Sequence, residues 1–421
     1  MLPAGCLYSE QFTDSLQAMK KKISVHQLRP NMYVTDLNCD WIPHHSYQKE
    51  GRIPDQATID QIIQRGITEV YIDPARGPDV EDALTEQEVD RHNQQALDQA
   101  AEQLTPDSQA KVTAQEELRK AGKLHNEAKN LVTNVLSDVK TGESIDVEAF
   151  DRLADGMVDS VLRNHNALAC LGRIRQKDNY LLEHSVNLAV LMGIFARDMK
   201  LDRHTMHQAV VGAMLHDIGK VLIPDEVLHK PGKLTDDEFA VMRKHVVYSK
   251  ELLQQTPGIK PLTIQVAAQH HERIDGSGYP LGLHGCDICR EGKMVAIADV
   301  YDAITADRVY HKGLPPTAAL KKLLEWSGTH LEETLVHRFI RSMGIYPVGS
   351  LVKLKSERLA VVIEAGETDQ RLPIVKVIYH AGKRQYLSAE IIDLSRPSVQ
   401  DEIIQAVDPA RWNIRLNDFL N

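Results

Sequence analysis

The sequence predicts a mainly α protein: a large helical domain with a small α+β domain ahead of it and a small β segment behind. Three observations carry that reading. Residues 131–345 read as consecutive helices. Residues 23–80 mix a helical pattern with two strand-like runs, and residues 346–396 change to β-type runs separated by turn residues. The 421 residues, 43% apolar and 26% charged, leave room for at least one large core and exclude wholesale disorder.

The elements follow in order. Residues 1–22 read as a loose extension. In 23–80, Met32 to Leu37 alternates like a strand and Ala57 to Arg65 has helical spacing through Ile59, Ile62 and Ile63. Gly66 stops that helix, and Glu69 to Asp73 forms a second strand closed by Pro74. Residues 81–130 read as an acidic helical linker, with 11 acidic and 5 basic residues over 81–128. Leu97, Leu104, Val112, Leu118 and Leu124 are spaced too raggedly for a coiled coil, so a solvated helix is the plainer expectation and a homodimer contact the sharper one. Beyond residue 346, Leu351 to Lys355, Leu359 to Glu364 and Ile374 to Tyr379 are strands, and residues 397–421 are a tail.

The net charge is −10, with no basic run beyond Lys20 to Lys22, which argues against a DNA or RNA polymer as partner. The longest apolar run, Leu188 to Ala196, is far too short to span a bilayer, which takes about 18–20 residues. Five scattered cysteines fit a reducing cytoplasm.

Histidine is the unusual residue. Ten of the 19 fall between His184 and His311. His216 and Asp217 are adjacent and follow the small, apolar run Ala209 to Leu215. An imidazole and a carboxylate side by side can reach one metal, and the carboxylate has a second oxygen for another. His184, His245, the pair His270-His271 and Asp299 recur at intervals of about 30 residues, roughly one ligand group per helix or helix pair. Each alone has a plain explanation as a core or capping residue. Together they point to a metal cluster. Asp299 sits among Val295, Ala296, Ile297, Ala298 and Val300, where a carboxylate needs a partner. The glycines of the string His270 to Pro280 match no dinucleotide or P-loop spacing and suggest instead a tight loop, with Arg273 and Tyr279 beside the metals.

These residues resemble the HD-GYP family of cyclic dinucleotide phosphodiesterases, a branch of the HD metal-dependent phosphohydrolases. The resemblance rests on His216-Asp217 with Gly219 and Lys220, on Gly278-Tyr279-Pro280 within its longer string, and on Ala298 to Ala303 followed by Asp307-Arg308. It covers roughly residues 150–345. Leu28 to Val34 and Tyr346 to Ser350 also look like flanking segments of family members. The resemblance implies an HD-type helical catalytic domain and the metal ligands His184, His216, Asp217, His245, His270, His271 and Asp299, with Asp217 bridging two divalent cations. It implies hydrolysis of cyclic di-GMP to linear pGpG or on to GMP, by in-line attack of water activated by the cations. The alternatives are a preference for 3′3′-cyclic GMP-AMP, or a receptor that binds without turnover. Lys220 would contact phosphate or protonate the leaving oxygen; Arg273, Gly278, Tyr279, Pro280, Arg308 and Lys312 would meet the substrate. The donor set favours Fe or Mn by resemblance and also fits Ni or Zn.

Departures from the family matter. Tyr180 stands where some members have a glutamate for a third metal, so two are expected. Glu183 should point elsewhere. His311 stands where many members have a basic residue, with Lys312 one later. Cys286 and Cys289 read as plain loop thiols rather than a redox pair or a zinc site.

Overall fold

The computed structural model describes residues 20–40, 50–102, 112–173, 180–307, 312–366 and 369–419. The chain forms two units, Met1–Ala96 and Leu97–Asn421.

The first unit is built on an antiparallel sheet of β1 (Lys21–Ser24), β2 (Tyr33–Asp36), β3 (Gly51–Arg52), β4 (Glu69–Ile72) and β5 (Leu84–Thr85), in the order β3-β2-β4-β1-β5. Helix α1 (Gln56–Gln64) is capped by Asp55, whose Oδ1 accepts from Thr58 N at 2.9 Å, and it buries Ile59 and Ile62. The expected strands and helix are β2, α1 and β4. The others are two to four residues long, and β3 and β5 are edges too short to carry a periodicity. Helix α2 (Glu86–Glu102) continues past the end of this unit.

The second unit opens with α3 (Ala114–Thr141), started by a capping box between Thr113 and Glu116 and ended by Gly142 at φ +83°. It packs along α4 (Val147–Arg173). This corrects the expectation of a solvated linker for residues 114–128. Ala121, His125, Ala128, Val132, Val135 and Val139 are buried at helical spacing. Glu117 is buried too, accepting from Ser160 Oγ at 2.9 Å and from Arg163 Nε and Nη2 at 2.8 and 2.7 Å. Those buried residues pack within the chain, while Val112, Leu118 and Leu124 of the expected stripe are half-buried. Residues 103–111, with Leu104, lie outside the described residues.

Helix α4 breaks at Asn164, with φ −159° and ψ 105°. The side chain of Asn164 fills the break, accepting from Asn166 N and donating to Val112 O, both at 2.9 Å. Helix α5 (Tyr180–Asp198) is buried on all sides from Val186 to Ala196, because α4, α6 (Arg203–Leu215), α11 (Arg290–Thr305) and α13 (Glu333–Met343) surround it. Between α6 and α11 lie the 3₁₀ turn Ile218–Leu222, α7 (Asp225–Leu228), α8 (Asp236–Met242), α9 (Lys244–Gln255) and α10 (Pro261–Gln269); α12 (Pro316–Glu325) follows α11. No helix among the described residues is long and apolar enough to cross a membrane.

The chain ends in an antiparallel sheet of order β10-β6-β7-β8-β9, comprising β6 (Leu351–Leu354), β7 (Arg358–Glu364), β8 (Ile374–His380), β9 (Gln385–Asp393) and β10 (Ile403–Ala406). Strands β6 to β8 match the three expected. The expected tail is corrected: it supplies β10 against β6, and Trp412, Ile414, Leu416 and Phe419 pack on the core of the sheet.

Candidate metal centre

Seven side chains from five segments converge inside the second unit, none more than 6% exposed: His184, His216, Asp217, His245, His270, His271 and Asp299. Local structure explains the convergence. His184 lies in the second turn of α5. His216 is the C-cap of α6, and Asp217 leads into the 3₁₀ turn. That turn lies flat on α9 because residue 219 is glycine: a Cβ there would stand 2.2 Å from His245 O and 2.4 Å from Ser249 N. Gly219 N donates to Ser249 Oγ at 2.9 Å. The contact brings Asp217 to His245 in the first turn of α9. His270 caps the end of α10, His271 follows it, and Asp299 faces them from α11.

Three rings are fixed in the same way. His216, His245 and His270 each donate Nδ1–H to the carbonyl three residues earlier (Ala213, Met242 and Ala267), each at 2.7 Å. The bond sets the tautomer and leaves the Nε2 lone pair facing the centre. His245 Nε2 and His270 Nε2 are thus two acceptors only 3.4 Å apart, an arrangement that calls for a cation between them.

The ligand atoms form two triads, His184, His216 and Asp299 on one side and His245, His270 and His271 on the other, and His216, Asp217 and His270 form a third group that joins them, each set within 4.8 Å. Asp217 stands between them. Its Oδ2 is 3.1 Å from His216 Nε2 and 3.9 Å from His184 Nε2. Its Oδ1 is 3.3 Å from His245 Nε2 and 3.9 Å from His270 Nε2. Asp299 spans the gap differently, with Oδ1 3.1 Å from His184 Nε2 and Oδ2 3.5 Å from His271 Nδ1. His216 Nε2, Asp217 Oδ1 and His271 Nδ1 are buried without a hydrogen-bond partner. Orphaned donor atoms of this kind suit a metal ion. The residues could hold metal, and the imidazole and carboxylate donors suit first-row transition metals.

The electrostatics agree. Burial opposes the charge on Asp217, but His216 and Lys220 outweigh it and hold the carboxyl well below its ordinary value. Burial also opposes the charge on Asp299, and His184 overcomes it. Burial pushes His245 down to about 4, and drives His270 and His271 well below the usual imidazole range. The rings are therefore neutral and able to ligate near neutral pH. Lys220 Nζ donates to Asp217 Oδ2 at 2.6 Å, which places a cationic side chain at the rim of the cluster.

The glycine-rich loop is pinned rather than open. Arg273 was expected at the substrate. It is instead 2% exposed, with Nη1 donating to His270 O at 3.3 Å and Glu272 O at 2.9 Å, so it holds the loop from within. Glu272 accepts from Leu281 N and Leu283 N at 2.8 and 2.9 Å. Asp275 accepts from Ser277 N and pairs with buried His330 at 3.0 Å. Gly278 lies so close to the backbone of Arg273 that a Cβ would stand 2.4 Å from its nitrogen. These bonds set the half-buried Tyr279 ring 4.6 Å from the His271 ring, with Pro280 next to it.

Arg308 and His311 lie outside the described residues. Lys312 is exposed and 3.9 Å from Asp408, and it lines a cavity of about 590 Å³ with Glu183 and Thr305. Glu183 turns away from the cluster to Lys129 at 2.5 Å. Cys286 is exposed, and Cys289 caps α11 by accepting from Gly292 N at 3.2 Å. Sequence reasoning passed over Asp302, which binds His184 Nδ1 at 2.8 Å, although it lies in the quoted stretch Ala298 to Ala303.

Comparison with known proteins places this geometry. The HD domain matches residues 170–335, and a domain of unknown function (DUF3391) matches residues 20–150. Cyclic di-GMP phosphodiesterase PA4108 of Pseudomonas aeruginosa is 36% identical over 403 residues, 94% of this chain and 94% of that protein. The chain belongs to the HD-GYP family of phosphodiesterases. Its HD pair is His216-Asp217 and its GYP segment Gly278-Tyr279-Pro280. The response regulator RpfG of Xanthomonas campestris, also a cyclic di-GMP phosphodiesterase, is 36% identical over 217 residues, 50% of this chain and 57% of that one. The 3′3′-cGAMP-specific phosphodiesterase 2 of Vibrio cholerae is 46% identical over 123 residues, 29% of this chain and 24% of that one. Within this HD-GYP protein, the matched HD domain contains all seven converging side chains.

Proposed function

We propose that this HD-GYP phosphodiesterase hydrolyses cyclic di-GMP, opening one phosphodiester to give linear pGpG, at a centre of two divalent cations. The observation that carries the reading is the placement of Asp217, one oxygen toward each triad. His184, His216 and Asp299 hold one cation, His245, His270 and His271 the other, and Asp217 both. Bound there, the cations lower the pKa of water and offset charge on the phosphoryl oxygens. The family resemblance favours iron or manganese, and the donors also fit nickel or zinc.

The chain's own residues supply the rest. The Nδ1–H bonds of His216, His245 and His270 fix ligand direction before substrate arrives. Lys220 stands where its ammonium can contact a phosphoryl oxygen or give a proton to the leaving alkoxide. The loop Gly278-Tyr279-Pro280 presents the Tyr279 ring beside His271 as an apolar wall for the dinucleotide. His184 to Lys312 holds 16 acidic and 15 basic residues, so the cations rather than a basic surface offset the substrate's charge.

The cGAMP-specific relative makes 3′3′-cyclic GMP-AMP the second substrate to test. The experiment is anaerobic purification, loading with Fe(II) or Mn(II), metal analysis, and turnover of both dinucleotides. Two metals per chain and release of pGpG are expected. Tight binding of cyclic di-GMP with no turnover in either metal overturns the enzyme reading in favour of a receptor.

A further inference from the structure

His184 cannot be oriented as the other rings are. His216 and His270 cap helix ends, where carbonyls lack helical partners. His184 lies inside α5, where the carbonyl three residues earlier belongs to the helix ladder. A carboxylate does the work instead. Asp302, one turn beyond Asp299 on α11, is fully buried, and its Oδ2 is 2.8 Å from His184 Nδ1. Its Oδ1 accepts from Nδ2 of Asn187, one turn beyond His184 on α5. Asn187 in turn meets the end of α4 at Gly172, where a Cβ would stand 1.9 Å from Asn187 Oδ1. A side chain at residue 172 would push that amide out of its present rotamer.

We propose that Asp302, Asn187 and Gly172 form a positioning relay for the first cation site. Asp302 fixes the tautomer of His184 so that Nε2 faces Asp217 and Asp299. Asn187 holds Asp302 in place, and Gly172 gives Asn187 its seat. None of the three touches substrate or cation. The proposal rests on His184 being a metal ligand, as proposed above. It adds that affinity at the His184, His216 and Asp299 site is set in part from α4, and that the other site is not. Partners of this kind are worth about 10–100-fold in metal affinity.

The test uses the full chain with Mn(II) as probe, measuring stepwise binding by calorimetry and electron paramagnetic resonance. Asp302→Asn, Asn187→Ala, Gly172→Ala and His184→Ala are compared. Asp302→Asn should weaken one of two binding steps about 10–100-fold and leave the other within about threefold. Asn187→Ala and Gly172→Ala should weaken the same step by less. In turnover, kcat should fall while KM stays within about twofold, because substrate contacts are intact. Should Asp302→Asn not fold, as judged by circular dichroism, Asn187→Ala and Gly172→Ala decide. If His184→Ala loses a step but those variants bind both ions like the wild type, the relay is refuted and the two-cation reading stands. If His184→Ala also keeps both steps, the two-cation reading falls and the relay with it.

Discussion

Gly219→Ala is the sharpest test of how the centre is assembled. The added Cβ would lie 2.2 Å from His245 O and 2.4 Å from Ser249 N. Both are backbone atoms of one helix, so no rotamer relieves the clash. Ordinary contact begins near 3.4 Å, so the turn and α9 must part by about 1 Å. Asp217 lies on that turn and His245 on α9, with 3.3 Å between their facing atoms. The separation therefore opens the joint between the two triads. A misplacement of about 1 Å can cost about 10²-fold in rate, or about 2.7 kcal/mol of barrier. Overpacking should cost a further ~1–3 kcal/mol of stability. The assay is kcat/KM for cyclic di-GMP in Mn(II), with metal stoichiometry and a thermal melt. Gly285→Ala is the control, because its Cβ would meet nothing closer than Ile274 Cβ at 3.5 Å. Wild-type kcat/KM and two tightly held ions in Gly219→Ala would refute the reasoning.

Asp217→Ala should abolish tight binding of both ions and lower kcat/KM by more than about 10³-fold; elemental analysis showing wild-type metal content contradicts the shared-ligand assignment. With metal chelated, the urea midpoint should fall as pH drops from about 6.5 toward 4. His245 and His165 are held neutral by burial, with folded pKa values of about 4 and about 3, so below 6.5 the unfolded chain takes up protons that the folded chain refuses. Each such ring contributes at most about 1.4 kcal/mol per pH unit, and a flat profile between pH 7 and 4.5 contradicts this. Gly122→Ala, on α3 with no atom within 4 Å of the new Cβ, should raise stability by about 0.5–1 kcal/mol without changing turnover, as a melt and an activity assay will show.

The sequence was legible where a pattern repeats along the chain. The unbroken apolar run of α5 announces a buried helix, and β6 to β8 announce themselves as β-type runs. Strand β9 did not, because it is exposed along most of its length and has no buried face to alternate with. Helix α3 was misread because its acidic residues hide the stripe, and because buried Glu117 looks like a solvent residue until Arg163 and Ser160 are placed beside it. At the centre, the seven converging side chains could be named from residue type and order. Their division into two triads could not, since it depends on how helix ends meet. Arg273 shows the same limit: in a string of polar residues, nothing distinguishes a guanidinium aimed at substrate from one that holds carbonyls. Asp302 carried a readable sign, a second aspartate one turn after a ligand on the same helix.

The bonds from His216 and His270 to the last carbonyls of their own helices have a consequence for how the enzyme matures. In small zinc domains the ligands are scattered in the free chain, and metal binding drives folding. Here two of the proposed ligands are also the stoppers of α6 and α10, so finishing the helices and aiming the rings are one event. Cation uptake is then a docking step into a finished frame. Starvation for metal should leave a stock of folded, idle enzyme that can be switched on by supply alone, without new synthesis.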